Sequence, residues 1–196
     1  MTPAFAIGQR ALLVVAPGGN ILWLHSLLDE QTIEFIKSKG GLKAIAFSHP
    51  HFYSNMNEWA ETFDCPIYIH ERDEQWILNK GQHVTLWSGI EKDLGDGIRI
   101  INIGGHFPGS SILHVPFLSP EGVILCGDTF VISPSKNHLA SMHSYPNKIP
   151  LPLAEVRRIK EQMQHLQFDT IHAWIGTQSI YSNAKEILEH SLTRYL

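Results

Sequence analysis

Short apolar runs bounded by glycine, proline and polar clusters recur along the chain, and stretches with helical periodicity sit between them. Ala11–Ala16 and Ile21–His25 flank Pro17-Gly18-Gly19-Asn20, which predicts a β-hairpin. Asp29 is placed to cap a helix running to about Lys39, with Ile33 and Ile36 on one face and Gly40-Gly41 as its stop. The run Leu42–Phe47 reads as a buried strand, and Asn55–Phe63 as a short helix presenting Met56, Trp59, Ala60 and Phe63. Pro66–His70 predicts another strand, and Glu71–Leu78 a short helix with Trp76 and Ile77 inward; Val84–Trp87 is ambiguous. Gly97–Ile103, Ile112–Val115 and Val123–Cys126 read as strands, with a turn at Ser119–Gly122. Ser133–Pro150, with its three prolines, reads as a long irregular loop of the kind that is usually functional or disordered. Leu151, Leu153, Val156, Ile159, Met163 and Leu166 then form one stripe of an amphipathic helix. Thr170–Trp174 predicts a last strand and Asn183–Tyr195 a last helix. Interleaved strands and helices of this kind suit sheets that carry helices on their outer faces.

Composition narrows the class. A chain of 196 residues, 43% hydrophobic and 17% charged, is expected to form a single domain over 1–196. The net charge of −4 and the lack of any Lys/Arg cluster argue against nucleic acid as a partner. The segment Met1–Arg10 lacks a signal-peptide pattern, and no apolar run approaches the ~18 residues of a membrane span. Cys65 and Cys126 make no disulfide framework. The expectation is a cytoplasmic, soluble protein with a small-molecule substrate, no membrane partner and an oligomeric state that the sequence leaves open.

Candidate chemistry gathers where strands end. His49-Pro50-His51 follows the Leu42–Phe47 run, and an extended segment would turn both rings to one side. With twelve histidines in the chain, such a pair carries little weight alone. Gly104-Gly105-His106 follows another strand, and Asp128 closes Val123–Cys126 in Cys126-Gly127-Asp128-Thr129. Each lies beside glycine or proline, where loops gather and sites are built.

His49-Pro50-His51-Phe52-Tyr53-Ser54, then Gly105-His106-Phe107-Pro108-Gly109-Ser110, then Gly127-Asp128-Thr129, resemble the metallo-β-lactamase superfamily along nearly the whole chain. That family carries His-x-His-x-Asp-His, Gly-His-Thr-Pro-Gly-His, Gly-Asp-Thr and a final Gly-His-Gly. The resemblance implies an α+β fold, a four-layer αββα sandwich of two mixed β-sheets packed face to face with helices outside. It also implies a metal position held by His49, His51 and His106, with Asp128 as a bridging ligand. The ligands of the family's second position are replaced: Tyr53 and Ser54 stand for its Asp and His, and Ile175 for its last His if Trp174-Ile175-Gly176 matches Gly-His-Gly. The losses fall on one side of the site, as a one-metal centre would require.

Three histidines leave a zinc coordination position open, the arrangement of catalytic sites, and zinc would lower the pKa of a bound water to about 7. Zinc is the expected divalent metal, with iron and manganese as alternatives. Asp128 would be a fourth ligand or the catalytic base. Tyr53 cannot take a proton at neutral pH in place of the family's Asp. The expected activity is hydrolysis of an ester, thioester, lactone or phosphoester. The alternative is a non-catalytic descendant that binds a ligand or partner, and a metal-free histidine core is a third reading.

Other residues weigh less. His143, Tyr145 and Asn147 lie in the long loop, which either covers the pocket, offering Tyr145 or Asn147 to a substrate carbonyl, or packs on the surface; its Ser144–Asn147 run followed by Ile149-Pro150-Leu151 also resembles a small bacterial branch of the superfamily. Trp174 would fill the vacated second position with apolar bulk. His172, by strand alternation, should face away. His70-Glu71-Arg72-Asp73 follows a strand end and could lie near the pocket, but the favoured reading is a solvated helix start with acids near its N-terminus. His25 is assigned a surface or hydrogen-bonded role.

Overall fold

The computed structural model describes residues 8–145 and 147–196. Most of the Met1–Arg10 segment, and Pro146 of the Ser-Tyr-Pro-Asn run, lie outside the described residues. Sheet one comprises β1 (Leu12–Val14), β2 (Ile21–Trp23), β3 (Ala44–Ala46), β4 (Ile67–His70) and β5 (Val84–Trp87) in that spatial order. The first pair is antiparallel and the others are parallel. Sheet two comprises β6 (Glu91–Gly95), β7 (Ile98–Asn102), β8 (Ser111–Val115) and β9 (Val123–Gly127), then β14 (Thr170–Ala173) and β15 (Ser179–Ile180). Only β9 and β14 pair in parallel there. Four α-helices are found among the described residues: α1 (Glu30–Ser38), α2 (Met56–Phe63), α3 (Leu153–Gln164) and α4 (Ala184–Thr193).

Strand alternation divides the core into layers. In β7 to β9, Ile98, Ile100, Leu113, Val115, Val123 and Leu125 join the residues of sheet one in one cluster. Their sequence neighbours Ile101, Ile112, Ile124 and Cys126 point the other way, into a second cluster with Val156 and Ile159 of α3 and Leu188 and Leu192 of α4. Sheet two is thus apolar on both faces, which is why its strands read as apolar runs rather than alternating ones. This is the expected αββα sandwich. Ile124 is fully buried. An Ile124→Val variant is expected to cost about 1 kcal/mol, read as a lower urea midpoint with metal binding unchanged.

Local chemistry explains most element ends. Asp29 Oδ1 accepts the Thr32 backbone N–H at 2.7 Å, the cap expected for α1. Two segments differ from expectation. Where residues 133–150 read as an irregular loop, short strands pair: β10 (Val131–Ile132), just before it, with β11 (Leu139–Ala140), and β12 (Met142–Ser144) with β13 (Ile149–Pro150). Runs this short carry too few alternating positions to be seen in a sequence. Glu71–Trp76 is a 3-10 helix, and its buried residue is Asp73, with Trp76 and Ile77 half-buried. Among the described residues, no helix is long and apolar enough to cross a membrane.

Candidate metal centre

Three segments converge on Ser48, at one end of the sandwich. The Ser48 carbonyl accepts the Ser111 backbone N–H at 2.8 Å, which ties the end of β3 to the start of β8. Gly127 at the end of β9 approaches from the other side: a Cβ there would fall 2.6 Å from that of Ser48, and the glycine's φ is +58°. Only a residue without a side chain lets this strand come so close. His49, Asp128 and the loop carrying His106 are thereby brought together.

His51 reaches the same point by a route other than the expected one. His49 is extended, but Pro50–Phe52 forms a 3-10 turn. Pro50 favours that turn, since its ring presets φ at the first position. The turn leaves the His49 and His51 ring centroids 4.9 Å apart, and the His106 ring lies 4.8 and 5.1 Å from them. One ligand atom from each of His49, His51, His106 and Asp128 lies within 4.8 Å of every other.

Hydrogen bonds behind the rings set their orientation. His106 Nδ1 lies 2.8 Å from the His143 carbonyl, which can only accept, so Nδ1 carries the proton and Nε2 keeps its lone pair. His49 turns Nδ1 to Ser48 Oγ at 2.9 Å, leaving Nε2 facing the cluster. His49 Nε2 and Asp128 Oδ1 are 2.9 Å apart but not aligned as a hydrogen bond. Among the described residues, these two atoms and His106 Nε2 are buried without a partner. Buried polar atoms rarely stay unpaired, and lone pairs converging on one point, backed by partners on the far ring nitrogens, are what a divalent metal needs. The donor set fits one. Ser48→Ala is expected to weaken metal affinity 10- to 100-fold, measured by competition with a chelating dye.

Electrostatics agree. Burial opposes ionisation of Asp128, but the neighbouring imidazoles, His49 first, outweigh it and hold the carboxyl below the usual carboxylate range. Burial lowers His106 and His51, with His49 adding to the effect. Both rings thus favour the neutral form that binds metal.

The loop that carries His106 is braced from several directions. Gly109 N–H donates to Asp73 Oδ1 at 2.7 Å, and Phe107 N–H donates to Ser110 Oγ at 2.8 Å. Asn102 Nδ2 donates to the Pro108 and Ser110 carbonyls. Asp73 is fully buried, contrary to its expected place on a solvated helix start. Burial pushes its carboxyl up to about 6, against the Gly109 hydrogen bond and the nearby His49. Phe107 stacks on His49 with centroids 5.5 Å apart and meets Trp76 edge-on at 5.0 Å. Ser48, Trp76 and Phe107 are the site residues that sequence reasoning missed, and Asp73 is one for which it favoured the solvated reading over the one near the pocket. Only Ser48 had a legible signal, a hydroxyl directly before a ligand histidine.

The remaining expected residues are placed unevenly. Tyr145 stands beside His106, with ring centroids 5.6 Å apart, and His143 contributes its carbonyl from an exposed position. Tyr53 is buried edge-on against Phe47, in the wall of a recess that opens at His51. Asn147 is exposed and does not line either recess at His51. Trp174 is half-buried against both core clusters, and its backbone N–H donates to the Gly127 carbonyl. His172 is bonded to Ser179 Oγ and stays outside the cluster. His25 departs from expectation: it is fully buried, and neither ring nitrogen has a hydrogen-bond partner among the described residues.

Comparison with known proteins agrees with this geometry. No family model matches the chain. The Bacillus subtilis protein YmaE is 40% identical over 196 residues, covering 99% of this chain and 71% of YmaE. DIM-1 metallo-β-lactamase superposes with a TM-score of 0.68 at 13% identity, covering 98% of this chain and 91% of its own. TTHA1623 in a di-iron-bound form gives 0.65 at 18% identity, covering 95% and 96%. These likenesses show that the chain has the metallo-β-lactamase fold, and the 40% identity shows that it belongs to one family with YmaE.

Proposed function

We propose that the protein is a hydrolase working with one divalent metal, zinc before iron or manganese, held by His49, His51 and His106 with Asp128. The observation that carries this reading is the convergence of buried, unpaired His49 Nε2, His106 Nε2 and Asp128 Oδ1. A one-metal count rests on the four-residue cluster, to which no fifth ligand is added among the described residues. When bound, the metal supplies Lewis acidity and a water that ionises near neutral pH.

The chain's own groups do the rest. Asp128, held as a carboxylate, accepts the proton of the attacking water. The new C–O bond forms as the bond to the leaving alcohol or thiol breaks, and that group departs with the proton Asp128 held. His49 and His106 keep their orientation through Ser48 Oγ and the His143 carbonyl. Phe107, against all three imidazoles, screens them from bulk water. Two free, buried cysteines suit a reducing compartment, so we place the protein in the cytoplasm.

A second reading, a non-catalytic binding protein of the same fold, is favoured by Tyr53. Packed into the core, with its phenol pushed well above the usual range by burial, it handles no proton. Turnover on a panel of esters, thioesters, lactones and phosphodiesters decides between them. The hydrolase reading expects activity that a chelator abolishes and added zinc restores; no turnover on any member would favour the binding protein.

A further inference from the structure

Two recesses meet at the cluster, sharing His51 and Trp76. One, of about 530 Å³, is walled by Trp76, Phe107, Pro108 and Tyr145 and is also lined by His106. The other, of about 450 Å³, runs past Tyr53, Asn55 and Met56 to Glu58 and Glu61. Among the described residues, neither is lined by a lysine or an arginine.

Charge then separates the possible substrates. A phosphodiester or carboxylate entering such a site loses its hydration and needs cationic partners, commonly arginine or lysine. Here the chain adds no cation to the charge of the metal itself: Asp128 offsets part of that charge, and Glu58 and Glu61 in the second recess repel an anion there. A neutral carbonyl compound pays no such penalty. The aromatic walls favour it further. Phe107 is held between His49 and Trp76, so the surface is fixed before anything binds. Burying an alkyl chain on it gains binding with each methylene.

We infer that the site takes an uncharged acyl compound, a carboxylic ester, thioester or lactone, with its apolar chain along Trp76, Phe107, Pro108 and Tyr145, and rejects phosphodiesters and free carboxylates by charge. For turnover this rests on the hydrolase reading; for binding it does not.

The test is calorimetric titration at pH 8, with butanamide, octanamide and octyl phosphate as probes, on metal-free and zinc-loaded protein. Octanamide is expected to bind at least about tenfold more tightly than butanamide, since each methylene is worth roughly two- to fourfold. In Trp76→Ala that gain should shrink to about threefold or less. Octyl phosphate should bind metal-free protein about tenfold more weakly than octanamide. Equal or tighter binding of octyl phosphate to the metal-free wild type, or no gain with chain length there, would overturn the inference, and neither comparison depends on the variant folding. Octanamide bound as expected, with p-nitrophenyl octanoate and every other member of the ester, thioester, lactone and phosphodiester panel left intact by zinc-loaded protein, would sink the hydrolase reading and leave the acyl site standing.

Discussion

Replacing His106 by alanine is expected to abolish tight metal uptake and reduce turnover to background. His106 is 7% exposed, and its lone pair lies on a nitrogen with no other partner among the described residues. Losing a partner that merely orients a ligand typically costs 10- to 100-fold in metal affinity, and losing the ligand itself should cost more. The substitution also leaves the His143 carbonyl without its donor. The control is His143→Ala. Only the backbone carbonyl of His143 bonds His106, while its side chain is exposed, so that variant should keep its metal. Dialysis against limiting zinc, followed by elemental analysis with circular dichroism as a check on folding, measures both. Zinc uptake in His106→Ala equal to the wild type would remove the three-histidine site.

The second large effect is a pair of opposed pH dependences. Burial holds His25 neutral, lowering it from 6.5 to about 4. Between those values the unfolded chain binds more protons than the folded one, so folding stability drops as pH falls from 6.5 and levels off below about 4. The shift corresponds to about 3 kcal/mol. Asp73 acts in the opposite sense. Its carboxyl, pushed up from 3.8 to about 6, binds a proton earlier in the folded state, so its burial penalty above pH 6 is relieved as pH falls. The wild-type profile should therefore be flatter than either group alone would give. Relative to wild type, His25→Gln should gain about 3 kcal/mol between pH 7 and pH 4. Asp73→Asn should lose a comparable amount over the same range. Urea unfolding at several pH values reads both differences, and parallel profiles for all three proteins would contradict this account of the buried groups.

The ligands were legible because each sits where an apolar run meets glycine or proline. Asp128 after Gly127 and His106 after Gly104-Gly105 are local patterns, and so is the Asp29 cap of α1. The layered core was legible in the runs that form β7 to β9. What the sequence hid depends on long-range packing. His49-Pro50-His51 reads as an extended segment, yet Pro50 starts the 3-10 turn that gathers the rings. Asp73 looks like a surface acid until the loop at Gly109, 36 residues on, folds over it. His25 is enclosed by Phe47, from the segment leading to His49, and neither residue reveals that locally. The short strands between Val131 and Pro150 are stabilised by pairing with each other, which propensity does not register.

The most direct test of the account is metal content by elemental analysis, on protein purified without an affinity tag or added metal. About one zinc, iron or manganese per chain is the predicted result, with the metal lost in His106→Ala. Two per chain, or none with no uptake when metal is added, would contradict a one-metal centre at His49, His51, His106 and Asp128.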